Sequence, residues 1–397
     1  MSSLLTPARR LVAANFFIQL AFHSTYFVGI IGCATYMLGA GPFQTSALVF
    51  GLNLAVVASN FCSGAIIDAV GPRRVLLVVC AGLFLSGTFG LLAPVSYISL
   101  AVVAIAVGLL FGAASTAVDA YPRFLTAEAD ELLRVNGLNN IAIGVSVIVG
   151  PALGGLIASA ASNQQVFWLL AAGPVPALAL IASMGPDGAR ERRDARPVEA
   201  AGVAALLEGV TATFGHVDLR LIFFMGFMGF FAYGAFDSLE SLFYRDVLKV
   251  GTEWMGWLSA ISGVGGAIGS LLIMHTPPKH LSLRLLAALL LLTGLGSVLY
   301  VGTSSVAVAA VGQVVCGVGF GAMGPVRSTL AQRLSDPGQV GRVLGFMRVG
   351  LNGAGVVPLL VAPFLADAFG VQAVLVGASA FTAAIACVFW AVSRKRA

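Results

Sequence analysis

Charged residues are scarce in this chain of 397 residues. Only 10% of the residues are Asp, Glu, Lys or Arg, whereas 58% are hydrophobic, and the mean hydropathy is +0.96. A typical soluble domain has about 25% charged residues. This shortage excludes a water-soluble globular protein and indicates an integral membrane protein, whose main contact is the lipid bilayer.

Several chemical motifs are also missing. The chain has three lysines and none follows a glycine, so no phosphate-binding Gly-Lys-Ser or Gly-Lys-Thr loop exists and transport driven by its own ATP hydrolysis is excluded. The five cysteines are isolated and odd in number, which indicates free thiols. The four histidines have no cysteine or carboxylate at ligand spacing. We therefore expect no metal, no cofactor and no enzymatic activity.

Long apolar runs fill the rest of the chain. There are twelve, each near the roughly 20 residues that carry a helix across a bilayer, and only helices satisfy their own backbone groups there. The predicted spans, numbered 1 to 12 in chain order, are Leu11 to Leu38, Thr45 to Ile67, Val75 to Leu92, Ile98 to Val118, Gly137 to Ala158, Val166 to Met184, Leu219 to Tyr244, Trp254 to Met274, Leu285 to Val301, Ser305 to Val326, Val343 to Leu365 and Val371 to Val392.

The basic residues predict the orientation, because Lys and Arg in short loops stay in the cytoplasm. If the N-terminus is inside, 20 of the 22 fall in inner connections or tails, and only Arg245 and Lys249 lie outside. Both termini are then cytoplasmic, and the pI of 9.1 reflects topology rather than a nucleic-acid partner. The abundance of Arg, Ala and Gly is typical of a GC-rich bacterium, which indicates the bacterial inner membrane.

The spans divide into two halves. We predict an all-α membrane protein with a six-helix bundle over residues 1–184, a cytoplasmic connection with an interfacial helix over 185–218, and a second six-helix bundle over 219–397. A weak repeat links the halves, since Gly108-Leu-Leu-Phe-Gly112-Ala113 resembles Gly317-Val-Gly-Phe-Gly321-Ala322 209 residues later. Two related bundles are typical of transporters with a substrate path between them.

A short motif joins spans 2 and 3. Gly64 and Asp68 end one helix, Gly71 allows a tight reversal, and Arg73 and Arg74 hold the cytoplasmic side. The motif resembles the inner-loop signature of the major facilitator superfamily, which implies that the acid latches the two bundles when the inner gate is shut. The family's arginine after the acid is replaced by alanine here. A generic tight turn is the alternative.

A second motif lies in span 5. Pro151 removes a helix hydrogen bond, and Gly150, Gly154 and Gly155 let the bent helix pack closely. Together with the segments Pro122-Arg-Phe-Leu and Asn136-Gly-Leu, it resembles the drug, macrolide and enterobactin exporters of that superfamily, which implies efflux and drug resistance. Ala104 departs from the arginine of many drug:proton antiporters, and span 1 lacks the exporters' acid. A merely tolerated kink is the alternative.

Polar residues inside spans are costly and therefore need partners or a cavity. In span 1 they form one stripe with aromatic neighbours, which we expect either to line the substrate cavity or to bond neighbouring helices. Candidate cavity residues are Asn15, Gln19, Phe22, His23, Tyr26, Gln313 and Asn352. Candidate gate residues at the inner face are Gly64, Asp68, Gly71, Arg73, Arg74, Asp119, Arg123, Arg342 and Arg348.

Span 7 contains two acids three residues apart, Asp237 and Glu240. If both are shielded from water, burial and mutual repulsion raise the affinity of the pair for one proton, which suits a proton-coupling site. The alternative is a solvated pair at the outer mouth, balanced by Arg245 and Lys249.

The sequence thus predicts a monomeric secondary active transporter that exports an amphipathic small molecule in exchange for protons. An uptake symporter for a small metabolite and a non-transporting membrane sensor are the alternatives.

Overall fold

The computed structural model describes residues 6–125, 129–185, 203–335 and 339–394. These residues are almost entirely helical, and no strand occurs among them. Twelve helices are long and apolar enough to cross a membrane, which confirms the predicted number. In chain order the spans occupy Pro7–Met37, Pro42–Val70, Pro72–Leu92, Tyr97–Ala120, Ala129–Ala160, Asn163–Ala182, Val217–Leu248, Glu253–Met274, Leu283–Val301, Val306–Leu334, Arg342–Phe369 and Val371–Arg394.

Some spans change helix type along their length. Spans 1 and 7 are α-helical over Pro7–Ser24 and Val217–Leu242 and continue as π-helix over Thr25–Ile31 and Phe243–Leu248. A second π-helical segment, Cys33–Met37, completes span 1. Such wider turns often occur at functional sites.

Two further spans are interrupted. Span 6 begins as a 3₁₀ turn, Asn163–Val166, followed by the helices Phe167–Ala172 and Pro174–Ala182. Span 11 divides at Gly355 into Val340–Ala354 and Val356–Phe369. Shorter helices outside the spans are Pro122–Leu125, Val203–Gly215 and Pro278–His280.

Local sequence explains where the helices begin. Proline occupies the first turn of spans 1, 2 and 3, where its missing N–H costs nothing. Ser96 and Ser282 precede spans 4 and 9, and their hydroxyls accept hydrogen bonds from the N–H groups of Ser99 and Leu285 at 3.2 and 3.3 Å. These side chains satisfy donors that a helix leaves free at its N-terminus.

The chain divides into two compact units. The first contains Met1–Arg196 together with Val250–Ala260, and the second contains Pro197–Lys249 together with Ile261–Ala397. Each unit has its own apolar core, centred on residues such as Leu76 and Phe167 in the first unit and Ile222 and Leu290 in the second.

Glycines bring spans together in the same way in both units. A Cβ at Gly108 of span 4 would lie 2.5 Å from the carbonyl oxygen of Leu52 in span 2. A Cβ at Gly317 of span 10 would likewise collide with the carbonyl oxygen of Ser262 in span 8. The two glycines are 209 residues apart and their neighbours 210, so the repeat read in the sequence is also a repeat of helix packing. Small residues are what permit such close approach in lipid.

The connecting helix, Val203–Gly215, packs within the second unit. Glu208 forms an ion pair with Arg342. The ring of Phe214 lies 5.6 Å from Phe223 and 6.0 Å from Phe346. Residues 186–202 of the predicted connection lie outside the described residues.

Candidate functional site

One face of span 7 carries its polar and aromatic side chains. Gly226, Phe230, Tyr233, Asp237 and Glu240 follow one another at steps of four, three, four and three residues, so they form a single stripe. Tyr233 is 51% exposed, and the two acids have intermediate exposure. Ionisable groups inside a span face a bundle interior or a water-filled cavity rather than lipid.

Span 10 faces this stripe in a regular antiparallel register. Its residues Gln313, Phe320 and Arg327 are seven apart and therefore lie on one face. The amide of Gln313 donates to Glu240 at 3.2 Å. The ring of Phe320 stacks on Tyr233 at 6.0 Å.

The third pair of this register joins Arg327 and Gly226. A Cβ at Gly226 would lie 3.1 Å from Cδ and 3.2 Å from Nη1 of Arg327. We call the line where the two helices meet, from Arg327 and Gly226 to Gln313 and Glu240, the span 7/10 seam.

Glu240 is held by hydroxyl and amide groups. Its Oε1 accepts hydrogen bonds from Tyr244 Oη at 3.0 Å, from Tyr300 Oη at 2.7 Å and from Gln313 Nε2 at 3.2 Å. Tyr244 follows one turn later on span 7, and Tyr300 lies at the end of span 9. Within the described part of the chain, neither Asp237 nor Glu240 has an ion pair, and Arg245 pairs instead with the adjacent Asp246 at 2.6 Å.

Three oxygens lie close together here: Glu240 Oε1, Tyr244 Oη and Tyr300 Oη. Together they have room for three hydrogen-bonding protons, one more than the two tyrosines supply. The two tyrosine hydroxyls are themselves 2.7 Å apart, so all three oxygen pairs are within hydrogen-bond distance. Two hydroxyl protons can bridge only two of these pairs while the carboxylate is ionised. A proton on the carboxyl group would supply a hydrogen for the third pair, and Oε1 would still accept from Gln313. The arrangement therefore suits a carboxyl group that takes up and releases a proton.

Cys316 borders this cluster. Its thiol lies 3.2 Å from the hydroxyl of Ser297 on span 9. Among the described residues, the titratable groups that interact with Asp237 or Glu240 are two tyrosines of span 7, one of span 9 and one cysteine of span 10. They are Tyr233, Tyr244, Tyr300 and Cys316.

In the first unit, the polar stripe of span 1 bonds to a neighbouring helix. Asn15 Nδ2 donates to Asn139 Oδ1 of span 5 at 3.2 Å, and Gln19 Nε2 donates to Asn15 Oδ1 at 3.4 Å. All three amides are buried. Gln19 Oε1 is buried without a hydrogen-bond partner among the described residues, so an acceptor remains available in this unit.

The aromatic residues next to these amides form a stack. The ring of Phe22 lies 3.6 Å from Phe111 of span 4 and 5.8 Å from Tyr26, both in parallel orientation. His23 meets Phe22 edge to face at 5.3 Å. Phe22 is buried, whereas His23 and Tyr26 are partly exposed. The structure thus brings five predicted cavity residues of span 1 together, with Asn15 engaged between helices.

The glycines of span 5 permit close helix contacts. A Cβ at Gly150 would lie 3.1 Å from the backbone nitrogen of Ser24, and one at Gly154 would lie 3.1 Å from the side chain of Val28. A Cβ at Gly155 would lie 2.8 Å from the carbonyl oxygen of Glu253. Pro151 lies inside a helix that continues to Ala160.

The predicted gate residues are spread over several environments. Gly71 has φ +86° and ψ 149°, a backbone conformation essentially limited to glycine, whereas Gly64 has open space around its Cα. Arg73 donates to the carbonyl oxygens of Ile181 and Ala182 at 3.2 and 2.9 Å, which caps the end of span 6.

The other gate candidates are exposed or lie beyond what is described. Arg74, Asp119, Arg342 and Arg348 are exposed. The side chains of Asp68, Arg123 and Asn352 are not among the described ones, so the roles assigned to these residues stay predictions.

Sequence reasoning missed several residues of the span 7/10 seam. Tyr244 and Tyr300 were overlooked because a tyrosine near a span end is usually an interfacial anchor. The hydropathy pattern ends span 10 at Val326 and so places Arg327 in an inner connection, but the helix continues to Leu334. The sequence does contain one signal for the seam: Gln313, Phe320 and Arg327 are spaced seven residues apart and so lie on one face of a helix.

The described residues form a dozen helices that could cross a membrane, in two units with polar clusters inside the spans, which is the architecture of a polytopic transporter. The sequence model of the Major Facilitator Superfamily matches residues 11–357, so the chain belongs to this superfamily.

Several known proteins are similar to this chain in sequence or in structure. The chain is 27% identical over 354 residues to the multidrug efflux pump Tap of Mycobacterium tuberculosis (strain ATCC 25618 / H37Rv), with 83% of this chain and 80% of Tap covered. A mutant of the nucleoside transporter NupG superposes with a TM-score of 0.73 at 12% identity, covering 97% of this chain and 99% of NupG. A POT family transporter in complex with a thioalcohol conjugated peptide gives 0.72 at 13% identity, covering 98% and 96%. These superpositions show a common fold.

Proposed function

We propose that this transporter exports amphipathic small molecules in exchange for protons, by alternating access between two bundles whose termini are cytoplasmic. The observation that carries the proposal is the ring of Glu240, Tyr244 and Tyr300, which has a place for one added proton. Asp237, one turn before Glu240 on the same face, has no hydrogen bond or ion pair among the described residues.

The acid pair supplies a physical basis for exchange. Two neighbouring carboxylates inside a bundle repel each other, and one positive charge relieves this repulsion. A proton or the cationic group of a substrate provides that charge. A bound proton weakens the attraction of the two acids for the substrate cation, and a bound cation weakens their attraction for the proton. The acid pair therefore favours binding the proton and the substrate in turn, which is what an antiporter requires.

The substrate class follows from the side chains around the acids. Phe230, Tyr233 and Phe320 offer exposed or partly exposed rings, and the fixed charges nearby are few. Such surfaces suit apolar bodies with one or two polar groups better than sugars or phosphates. The similarity to Tap supports this class.

Inverted membrane vesicles with a pH-sensitive dye test the proposal. After acidification of the lumen, addition of ethidium or another amphipathic cation should dissipate the pH gradient in vesicles that contain the parent protein. Asp237→Asn and Glu240→Gln should abolish or strongly reduce this effect. Asp246→Asn is the matched control, because it neutralises an exposed carboxylate that already pairs with Arg245.

Four results would redirect the proposal. Coupling through Asp237 and Glu240 fails if both neutralised variants behave like the parent, and a sodium gradient that replaces the proton gradient would assign sodium as the coupling ion. An uptake symporter would instead alkalinise the medium when substrate is added to right-side-out vesicles. A sensor would move no compound in either vesicle orientation.

A further inference from the structure

The span 7/10 seam has opposite charges at its two ends. Arg327 lies at one end, beside Gly226, and Asp237 and Glu240 lie toward the other. Between them the partly exposed rings of Phe230 and Phe320 lie 5.3 Å apart. The roles proposed above for the acid pair and the aromatic rings leave Arg327 without a function.

Arg327 lacks a counter-charge in the described part of the chain. It has no hydrogen bond or ion pair there, and its one specific contact is with the ring of Phe230, 6.0 Å from the guanidinium carbon. Its side chain lies beside Gly226 on span 7, where a Cβ would come within 3.1 Å of its Cδ. A charged group within a span is costly without a partner, and guanidinium binds carboxylates through paired hydrogen bonds. An anion bound here would supply the counter-charge that Arg327 lacks among the described residues.

The two ends are separated by the length of a drug-sized molecule. From Phe230 to Asp237 span 7 rises through seven residues, or about 10 Å at about 1.5 Å per residue. The guanidinium lies beside Phe230 and Gly226, so its distance from the Asp237 carboxylate is roughly 10–16 Å. Tyr233 and Phe320 flank the intervening stretch.

We propose that the seam binds an elongated ampholyte, with its carboxylate on Arg327, its ammonium on Asp237 and its aromatic body against Phe230, Tyr233 and Phe320. This inference rests on the proposed transport function and narrows its substrate class from amphipathic molecules to those with an acidic and a basic end. The ammonium takes the place of the proton that the acid pair otherwise shares.

Three probes that share one rigid biphenyl test whether the seam recognises both a carboxylate and an ammonium group. They are 4′-(aminomethyl)biphenyl-4-carboxylic acid, its methyl ester, which carries only the ammonium, and its N-acetyl derivative, which carries only the carboxylate. Binding to purified protein in lipid nanodiscs is measured by equilibrium dialysis at one fixed pH and without a gradient. The variants are Arg327→Gln, Arg327→Lys and Asp237→Asn, with Arg220→Gln as an exposed arginine control on span 7.

The parent protein should bind the amino acid about tenfold or more tightly than either half-charged probe, because a charge-assisted hydrogen bond contributes about 1.5–3 kcal/mol. Arg327→Gln should remove the preference over the methyl ester and leave ester binding unchanged, whereas Arg327→Lys should retain part of it. Asp237→Asn should remove the preference over the N-acetyl probe. Arg220→Gln should change neither preference.

Other outcomes overturn the inference. It fails if the parent binds the ester as tightly as the amino acid, if the amino acid does not bind at millimolar concentration, or if Arg327→Gln weakens all three probes equally. Because no gradient is used, these failures are separate from those of proton coupling. Gradient dissipation by ethidium together with absence of ampholyte preference would refute only the seam inference.

Discussion

The hydroxyl of Tyr300 lies 2.7 Å from Oε1 of Glu240, although the two residues are 60 positions apart in the chain. This hydrogen bond joins the end of span 9 to span 7. It shows that an acid inside this transporter is held by neutral donors. A carboxyl group held in this way can gain a proton without breaking an ion pair.

Tyr300→Phe removes one hydroxyl from the ring and leaves the aromatic packing. We expect proton-driven export to fall about tenfold, because one hydrogen bond to a charged group contributes about 1.5–3 kcal/mol. The measurement is the initial rate of gradient dissipation by ethidium. Tyr97→Phe, which removes a hydroxyl in the first unit, should leave the rate unchanged. Equal rates for Tyr300→Phe and the parent would contradict a role for the ring.

The hydrogen bond between Asn15 and Asn139 should couple spans 1 and 5. In a double-mutant cycle with Asn15→Ala and Asn139→Ala, we expect a coupling free energy of about 0.6 kcal/mol, typical of hydrogen bonds between membrane helices. Reversible unfolding in mixed detergent measures it. Strictly additive effects of the two substitutions would show that the amides do not stabilise each other.

Gly71 and Gly64 should respond differently to alanine. Gly71→Ala places a side chain at φ +86° and should lower the free energy of unfolding by about 1–3 kcal/mol. Gly64 is helical with open space around it, so Gly64→Ala should leave stability unchanged or raise it by up to about 1 kcal/mol. Thermal unfolding in one detergent compares the two variants, and equal losses would refute the backbone argument.

The crossing of spans 7 and 11 should depend on Gly234. A Cβ there would lie 2.7 Å from the Cα of Gly355, so Gly234→Ala should destabilise the second unit by about 1–3 kcal/mol. Gly353→Ala, two residues from the same contact but with open space, should have little effect. The two variants are compared by thermal unfolding, and a tolerated Gly234→Ala would show that the helices separate easily.

The sequence predicted the helices better than their partners. Twelve spans follow from hydropathy alone, because lipid leaves few alternatives to a helix. The acid pair of span 7 was found since charged residues are rare in spans. The ring around Glu240 was not found, because Tyr300 reaches it only through packing of span 9 against span 7, which no local pattern encodes.

Span boundaries limited the rest of the site prediction. Ending span 10 at Val326 placed Arg327 in a loop and hid its register with span 7. The sequence predicts Gln313 as a cavity residue and Glu240 as a coupling acid, with no sign that the two side chains form a hydrogen bond. Hydropathy measures how apolar a segment is, whereas the seam depends on which faces of two helices meet.

Accumulation of ethidium in proteoliposomes, driven only by an imposed pH gradient with an acidic lumen, tests the proton-coupling account most directly. Purified parent protein should concentrate the dye inside, and Glu240→Gln should allow equilibration without accumulation. Accumulation by Glu240→Gln to the level of the parent would contradict the assignment of this carboxyl group to the coupling proton.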